Sequence, residues 1–309
     1  MSIDINKLLA RADELDLPID YNDENIIIMD NLKLMAEKLF NVKPPVMNVI
    51  AIVMSGRARV DINGMTIEVH ENELFICPQG TVLSNFFISP DLELKVVLLS
   101  NNIIQSFLRD KIGVWNQALY VRRIRTLSLK PEGRDFFYHF YETLRIIIDA
   151  SPDAVPFRTD ILKSVICAGL LGLCGTLSRE MTTKDSLTAD DVDSKRSARN
   201  LFQHFLNILS ACEVKHRPVT YYASELCVTP KYLSVVCRQI SGKTAGEWIT
   251  EYTMEDIRHY LRATDLSMKQ VCDSLGFPSP SFFSRYVREH FGMSPKELRD
   301  NAPKDNVSL

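Results

Sequence analysis

What this chain of 309 residues lacks narrows its possible roles. No uninterrupted apolar run reaches the roughly 18 residues needed to cross a bilayer. The start, Met1-Ser2-Ile3-Asp4-Ile5-Asn6-Lys7, is without the basic-then-apolar build of a secretory leader. The seven cysteines show no CxxC spacing and stand mostly among apolar residues. They read as reduced core thiols rather than disulfides or zinc ligands, which implies a cytoplasmic setting. Histidine is thin, and His70 stands alone among the strand-like segments, so neither a metal site nor a cofactor is expected there. An excess of positive charge is missing too. The formal net charge is -3, which argues against a non-specific, architectural DNA-coating protein. Any nucleic-acid surface must be a local concentration of cations.

What is present is ordinary for a soluble globular chain: 46% hydrophobic and 24% charged residues, at a length that suits two domains. Early helices are expected at Lys7–Leu15 and Asp30–Phe40, before the break at Pro44-Pro45. From Val46 the apolar period becomes two. Val49–Met54 reads as a strand buried on both faces, and Ala58, Val60 and Ile62 alternate with Arg57, Arg59 and Asp61. Asn63-Gly64 is a hairpin signal, with Met65–Val69 as the returning strand. Strands at Leu74–Cys77 and Leu92–Leu99 complete a pattern that suggests a small barrel or jelly roll. The Arg57/Arg59/Asp61 stripe has two readings: a solvated outer face, or a polar contact in the barrel mouth. In the second case Arg57 and Arg59 would favour an anionic effector.

Helical periodicity takes over from Asn101. Pro131–Asp149 and Phe157–Leu177 carry wide apolar stripes that need a partner surface. They could pack on the barrel or form a dimer seam, with the small residues Ala168, Gly169 and Gly172 allowing close approach. Residues 181–195 are polar, acidic and aperiodic, a solvated linker between a domain at 1–180 and one at 196–300, with a tail at 301–309.

The C-terminal third holds one short design twice. Tyr222–Cys227 and Lys231–Arg238 flank a turn at Val228-Thr229-Pro230. Val271–Gly276 and Ser281–Arg288 flank a turn at Phe277-Pro278-Ser279-Pro280. This is helix, tight turn, helix, the arrangement that places a helix in the DNA major groove. Capping boxes are expected at Thr244/Glu247, Ser267/Gln270 and Ser294/Glu297, the second with a staple between Leu266 and Val271. Thr229-Pro230, Ser279-Pro280 and Ser294-Pro295 each offer a cap followed by proline at the first helical position. On the first second-helix, Leu233, Val236, Cys237 and Ile240 keep core spacing, while Lys231, Ser234, Val235 and Arg238 share another side. On the second, Phe283, Tyr286, Val287 and Phe291 face inward, while Ser281, Ser284, Arg285 and Arg288 line up outward. Hydroxyls beside cations suit phosphates and base edges. A helix from Thr244 to Ala263, about 30 Å long, matches the spacing of about 34 Å between successive major grooves.

These blocks, Tyr221-Tyr222-Ala223 through Gly242, Thr264-Asp265-Leu266-Ser267-Met268 through Phe277, Ser281–Tyr286 and Phe291-Gly292-Met293-Ser294-Pro295, closely resemble the AraC/XylS family of bacterial transcription regulators over residues 196–300. The resemblance implies a seven-helix, all-α domain with two helix-turn-helix motifs. It implies base-facing positions at Lys231, Ser234 and Val235 and at Pro280, Ser281, Phe282 and Arg285. The chain departs from the family pattern at Thr253, Ile257, Cys272 and Val287-Arg288. A looser resemblance, carried by the hairpin, the strand pattern and the domain order, links the upstream region to the family's cupin-like sensor barrel with flanking helices. The α+β chain is thus expected to be a sequence-specific regulator, an activator that works as a homodimer with promoter DNA and RNA polymerase as partners. A small-molecule effector would be sensed by the barrel, or the barrel would only dimerise. The alternative class is an enzyme, a barrel fused to a DNA-binding tail with a reactive cysteine. The cysteines have no basic or histidine neighbours in sequence that would activate one.

Overall fold

The computed structural model describes residues 19–23, 25–30, 47–81, 83–151, 154–183, 193–263 and 266–300. The helix expected at Lys7–Leu15, most of that at Asp30–Phe40, most of the 181–195 linker and the tail lie outside them. Two units divide the chain, Met1–Leu187 and Thr188–Leu309.

The first unit is built on antiparallel strands: β1 Ile19–Asn22, β2 Ile26–Asp30, β3 Asn48–Ser55, β4 Arg57–Ile62, β5 Met65–His70, β6 Glu73–Cys77, β7 Leu83–Ile88, β8 Glu93–Leu99 and β9 Thr126–Ser128. Asp30 therefore ends a strand and does not begin a helix. The strands form a sheet of six in the order β1-β2-β8-β3-β6-β9 and a sheet of three in the order β5-β4-β7. Of the expected small barrel or jelly roll, a closed barrel is not formed: among the described residues the two sheets share no hydrogen-bonded ladder. The chain changes sheets between β3 and β4 at Gly56 (φ +75°), where a Cβ would stand 2.8 Å from the Leu92 backbone. That tight corner breaks the ladder, and side-chain packing takes over. Val60, Ile62 and Leu83 meet Cys77, Val49 and Phe75 in one cluster, and Val53, Val69 and Leu92 form a second.

The hairpin between β4 and β5 is as the sequence suggests. Asn63 and Gly64 both have positive φ (48° and 81°), and Ile62 pairs with Met65. Two positive φ values match the right-handed twist of the flanking strands. Val60 and Ile62 point inward and are buried, so Arg57 and Arg59 stand on the opposite, exposed face. Placing them in the barrel mouth as effector contacts is therefore corrected by the period of the strand itself. They border a shallow surface depression with Glu68 and Phe87, and the Arg59 guanidinium lies 5.5 Å from the Phe87 ring centre.

Helix α1 (Asn101–Phe107), capped by the Ser100 hydroxyl, and α2 (Ile112–Asn116) lead through a π-helical turn to β9. Two long helices follow, α3 (Pro131–Asp149) and α4 (Arg158–Thr183). The small residues of α4 serve this pair. A Cβ on Gly169 would meet the Phe140 ring at 2.4 Å and one on Gly172 the Phe136 ring at 2.5 Å. Close approach at Gly169 and Gly172 is thus used within the chain; Ala168 is exposed. Helix α3 is tied to the sheet edge by charge. Arg145 pairs with Asp20 (2.5 Å) and the Tyr141 hydroxyl donates to Asp30, which also pairs with Lys95 of the neighbouring strand (3.2 Å). By length and composition α4 could cross a membrane, although no uninterrupted apolar run in it reaches 18 residues. Lys163 interrupts its apolar run, and Leu162, Ile166, Leu170, Leu173 and Leu177 are buried inside this unit.

The second unit contains helices α5 (Asp193–Ala211), α6 (Val219–Glu225), α7 (Pro230–Ser241), α8 (Ala245–Ala263), α9 (Met268–Ser274), α10 (Pro280–Phe291) and α11 (Pro295–Asp300). Helix α8 is its spine. It packs against α5, α6 and α7 in one half and against α9 and α11 in the other. In the first half Phe202 meets Trp248 edge-on at 5.8 Å and Phe205 meets Tyr222 at 5.7 Å. In the second, Ile257, Leu261, Val271, Leu275, Phe277, Phe283 and Val287 form one core.

Candidate nucleic-acid interface

The turn in each copy is closed by the same backbone bonds. In the first, the Cys227 N–H donates to Ser224 O and the Val228 N–H to Ala223 O, both at 3.0 Å. In the second, Gly276 donates to Asp273 O and Phe277 to Cys272 O, also at 3.0 Å. Cys227 and Gly276 both sit in the left-handed region, at φ 54° and 71°. Each second helix then starts on a hydroxyl cap and a proline: the Thr229 Oγ1 accepts from the Tyr232 N–H, and the Ser279 Oγ from the Phe282 N–H. Each stops at a left-handed glycine, Gly242 or Gly292.

The caps beyond these helices repeat as well. Glu247 accepts from the Thr244 N–H at 2.6 Å, and Glu297 from the Ser294 N–H at 2.7 Å. Hydrogen bonds from the Thr244 and Ser294 hydroxyls, and then those from the backbone N–H groups, hold both carboxyls below the ordinary glutamate value. Ser267 and Gln270 form the reciprocal box, and Leu266 packs on the cluster that contains Val271. The fixed ends set the rotation of α7 and α10, and with it which side chains reach solvent.

On α7, Leu233, Val236 and Cys237 are buried, while Lys231, Val235 and Arg238 are exposed and Ser234 is half-buried. On α10, Phe283 and Val287 are buried, while Pro280, Ser281, Arg285 and Arg288 are exposed and Phe282 and Ser284 are half-buried. Lys231, Arg238, Arg285 and Arg288 are thus all open to solvent, on helices whose inner faces are core. Phe282 is a support: it packs near His216 and Phe277, and the Arg285 guanidinium lies 5.0 Å from its ring centre. Sequence reasoning passed over two residues here. Tyr232 is 48% exposed on α7; its signal was the 50-residue offset that pairs it with Phe282. His216 stacks on Phe277 at 4.1 Å and meets Tyr286 edge-on at 5.0 Å. Nothing in its local sequence marks that role.

Helix α8 links the two halves with 19 residues, about 28 Å at 1.5 Å per residue. It is pinned by two ion pairs to residues outside it: Lys215 pairs with Asp256 (2.9 Å) and Lys243 with Glu251 (2.5 Å), while Arg258 and Glu255 (3.1 Å) pair within the helix. Thr253 is buried and returns its hydroxyl to the Ile249 carbonyl at 2.8 Å. Ile257 and Cys272, also departures from the family pattern, are fully buried, so they alter packing.

Five of the seven cysteines lack the setting of a nucleophile. Burial pushes Cys77 up to about 11 and Cys174 and Cys237 up to about 12, and raises Cys167 and Cys272. Among the described residues no group of three or more His, Cys, Asp or Glu could hold a metal ion.

Comparison with known proteins bears on the second unit. A family model described as a helix-turn-helix domain (HTH_18) matches residues 222–301. The HTH-type transcriptional regulator CdhR of Pseudomonas aeruginosa is 36% identical over 81 residues, 26% of this chain and 24% of that protein. The transcriptional activator NphR of a Rhodococcus species is 43% identical over 54 residues, 18% of this chain and 16% of that protein. These alignments span about a quarter or less of each relative's length. Among solved structures, apo ToxT from Vibrio cholerae aligns over 90% of this chain and 98% of its own, at 14% identity and a TM-score of 0.33. An AraC-type regulator from Chromobacterium violaceum aligns over 35% of this chain and 93% of its own, at 22% identity and a TM-score of 0.30.

Proposed function

We propose that this chain, whose C-terminal part is an AraC-type helix-turn-helix domain, is a cytoplasmic transcription regulator that reads two neighbouring major grooves of promoter DNA. The observation that carries this reading is the duplication. Two helices with identical caps, identical turn bonds and exposed basic faces sit in the two halves joined by one pinned helix. Lys231, Ser234, Val235 and Arg238 would meet one groove, and Pro280, Ser281, Phe282, Ser284, Arg285 and Arg288 the next. The length of α8 fits a groove spacing of about 34 Å. In this reading α5 to α11 form the family's seven-helix domain, and the linker expected at 181–195 is shortened to 184–192 by the ends of α4 and α5, joining that domain to a sensing or dimerising unit.

The finer parts are proposals of the same kind: activation through RNA polymerase, a homodimer, and an effector bound by the cupin-like unit. One observation favours the version in which that unit only dimerises. The space between its two sheets is filled by Val53, Val60, Ile62, Val69, Cys77 and Leu92, and Arg57 and Arg59 point away from it. Footprinting on the DNA upstream of the protein's own gene, with and without a metabolite panel, tests both. Protection of two patches one helical turn apart is expected. Continuous or absent protection would refute the two-groove reading, and metabolite-dependent protection would overturn the dimerisation-only version.

A further inference from the structure

The two outward faces carry different chemistry at their centres. On α7 the buried residues Leu233, Val236 and Cys237 define the inner side. At 100° per residue the point opposite them falls between Lys231 and Val235, with Arg238 beyond Lys231 on one flank and Gln239 and Tyr232 beyond Val235 on the other. Val235 is 44% exposed. The 50-residue offset puts Arg285 at the same central position on α10.

We infer that the DNA site contains a thymine, recognised through its methyl group by Val235, in one groove and a guanine recognised by Arg285 in the next. This rests on the DNA-binding reading above. Valine has no donor or acceptor, so it cannot read the nitrogen and oxygen atoms of base edges. The apolar group that the major groove offers is the C5-methyl of thymine. Tyr232, one turn away on the same side and 48% exposed, widens the apolar patch. The cations beside it, Lys231 and Arg238, suit flanking phosphates. Arg285 has the opposite character, a planar fork of donors that matches guanine O6 and N7. The Phe282 ring under its guanidinium, itself wedged near His216 and Phe277, limits the directions that fork can take.

The test begins with selection of bound duplexes from a random pool by the full-length protein. Two conserved blocks about one helical turn apart are expected, one with an invariant guanine and one with an invariant thymine. Arg285→Ala should relax preference at the guanine, and Val235→Ala at the thymine; an exposed helical valine is readily replaced by alanine. The selected thymine is then changed to deoxyuridine, which lacks only the methyl group. Wild-type affinity should fall about fourfold, as for loss of one buried methyl, and the Val235→Ala protein should lose nothing further. A selected site without a thymine in that block would overturn the inference while leaving the DNA-binding reading intact. So would a deoxyuridine penalty that is absent in the wild type or equal in both proteins. A pool with no enrichment would overturn both.

Discussion

The two helix-turn-helix copies share a backbone and differ in what supports it. At the left-handed turn position the first copy has Cys227, exposed, and the second has Gly276, where a Cβ would meet Val214 Cγ1 at 2.4 Å. One turn stands clear while the other is pressed against the segment before α6. The same contrast runs through the faces. The first presents an apolar residue beside two cations; the second presents an arginine braced on an aromatic cluster that includes His216. Duplication has kept the frame and released the contents.

The sharpest way to break this comparison is at the turn. Gly276→Ala should lower the stability of the second unit by about 2–4 kcal/mol, through left-handed strain and overpacking. Cys227→Gly should change it by less than about 1 kcal/mol, since relief of strain and added chain entropy oppose each other. Denaturant unfolding measures both, and equal effects would mean that the turns are equivalent after all. Next in size is DNA affinity. Arg285→Ala should cost about 1–3 kcal/mol and relax preference at one base pair. Val235→Ala should cost less than about 1 kcal/mol. Quantitative gel shifts would show the order, and a reversed order would place the main reading head in the first copy.

A smaller effect is expected at the caps. Thr244→Ala and Ser294→Ala should each cost about 1 kcal/mol of stability. Their glutamate partners titrate below the usual value. The part of each cap that depends on glutamate ionisation is present above the unfolded value of 4.5 and lost as pH falls through the lower folded value. The smallest effect separates the copies by pH. Burial, with His290 nearby, lowers His216 below the ordinary 6.5. The folded protein therefore resists protonation there, and stability is lost as pH drops from above 6.5 through the folded value. Amide exchange in α10 should rise over that range more than exchange in α7, whose half packs around Phe202 and Trp248. Equal response would dismiss His216 as the cause.

Much of the second unit was legible because its signals are local. Proline after a hydroxyl residue, the S/T-x-x-E/Q boxes and apolar residues at helical spacing each act within a turn or two of helix. The Asn63-Gly64 hairpin was legible for the same reason. The first unit was harder to read because its decisive contacts join distant residues. Strands β1, β2, β7 and β9 are short and gain their identity from pairing, as Ile26 does with Leu99 and Leu74 with Leu127. Whether six strands continue into three depends on one corner at Gly56 that meets Leu92. Gly169 and Gly172 suggested close approach at a dimer seam, and only the fold says that Phe140 and Phe136 of the same chain are what approaches. His216 is the extreme case, since its ring environment comes from residues more than 60 positions away.

The ion pairs that pin α8 have a consequence for any promoter this chain serves. Asp256 and Glu251 are fastened to Lys215 and Lys243, which lie outside the helix, on partly or largely buried side chains, so the helix cannot roll or slip by a residue without stranding charge. Under the proposed function the phase between the two contacted base blocks is then set by protein and not by DNA. One base pair added between the blocks turns the far groove by about a tenth of a helical turn. Binding should collapse to a single groove, so natural sites should tolerate changes of spacer sequence far better than changes of spacer length.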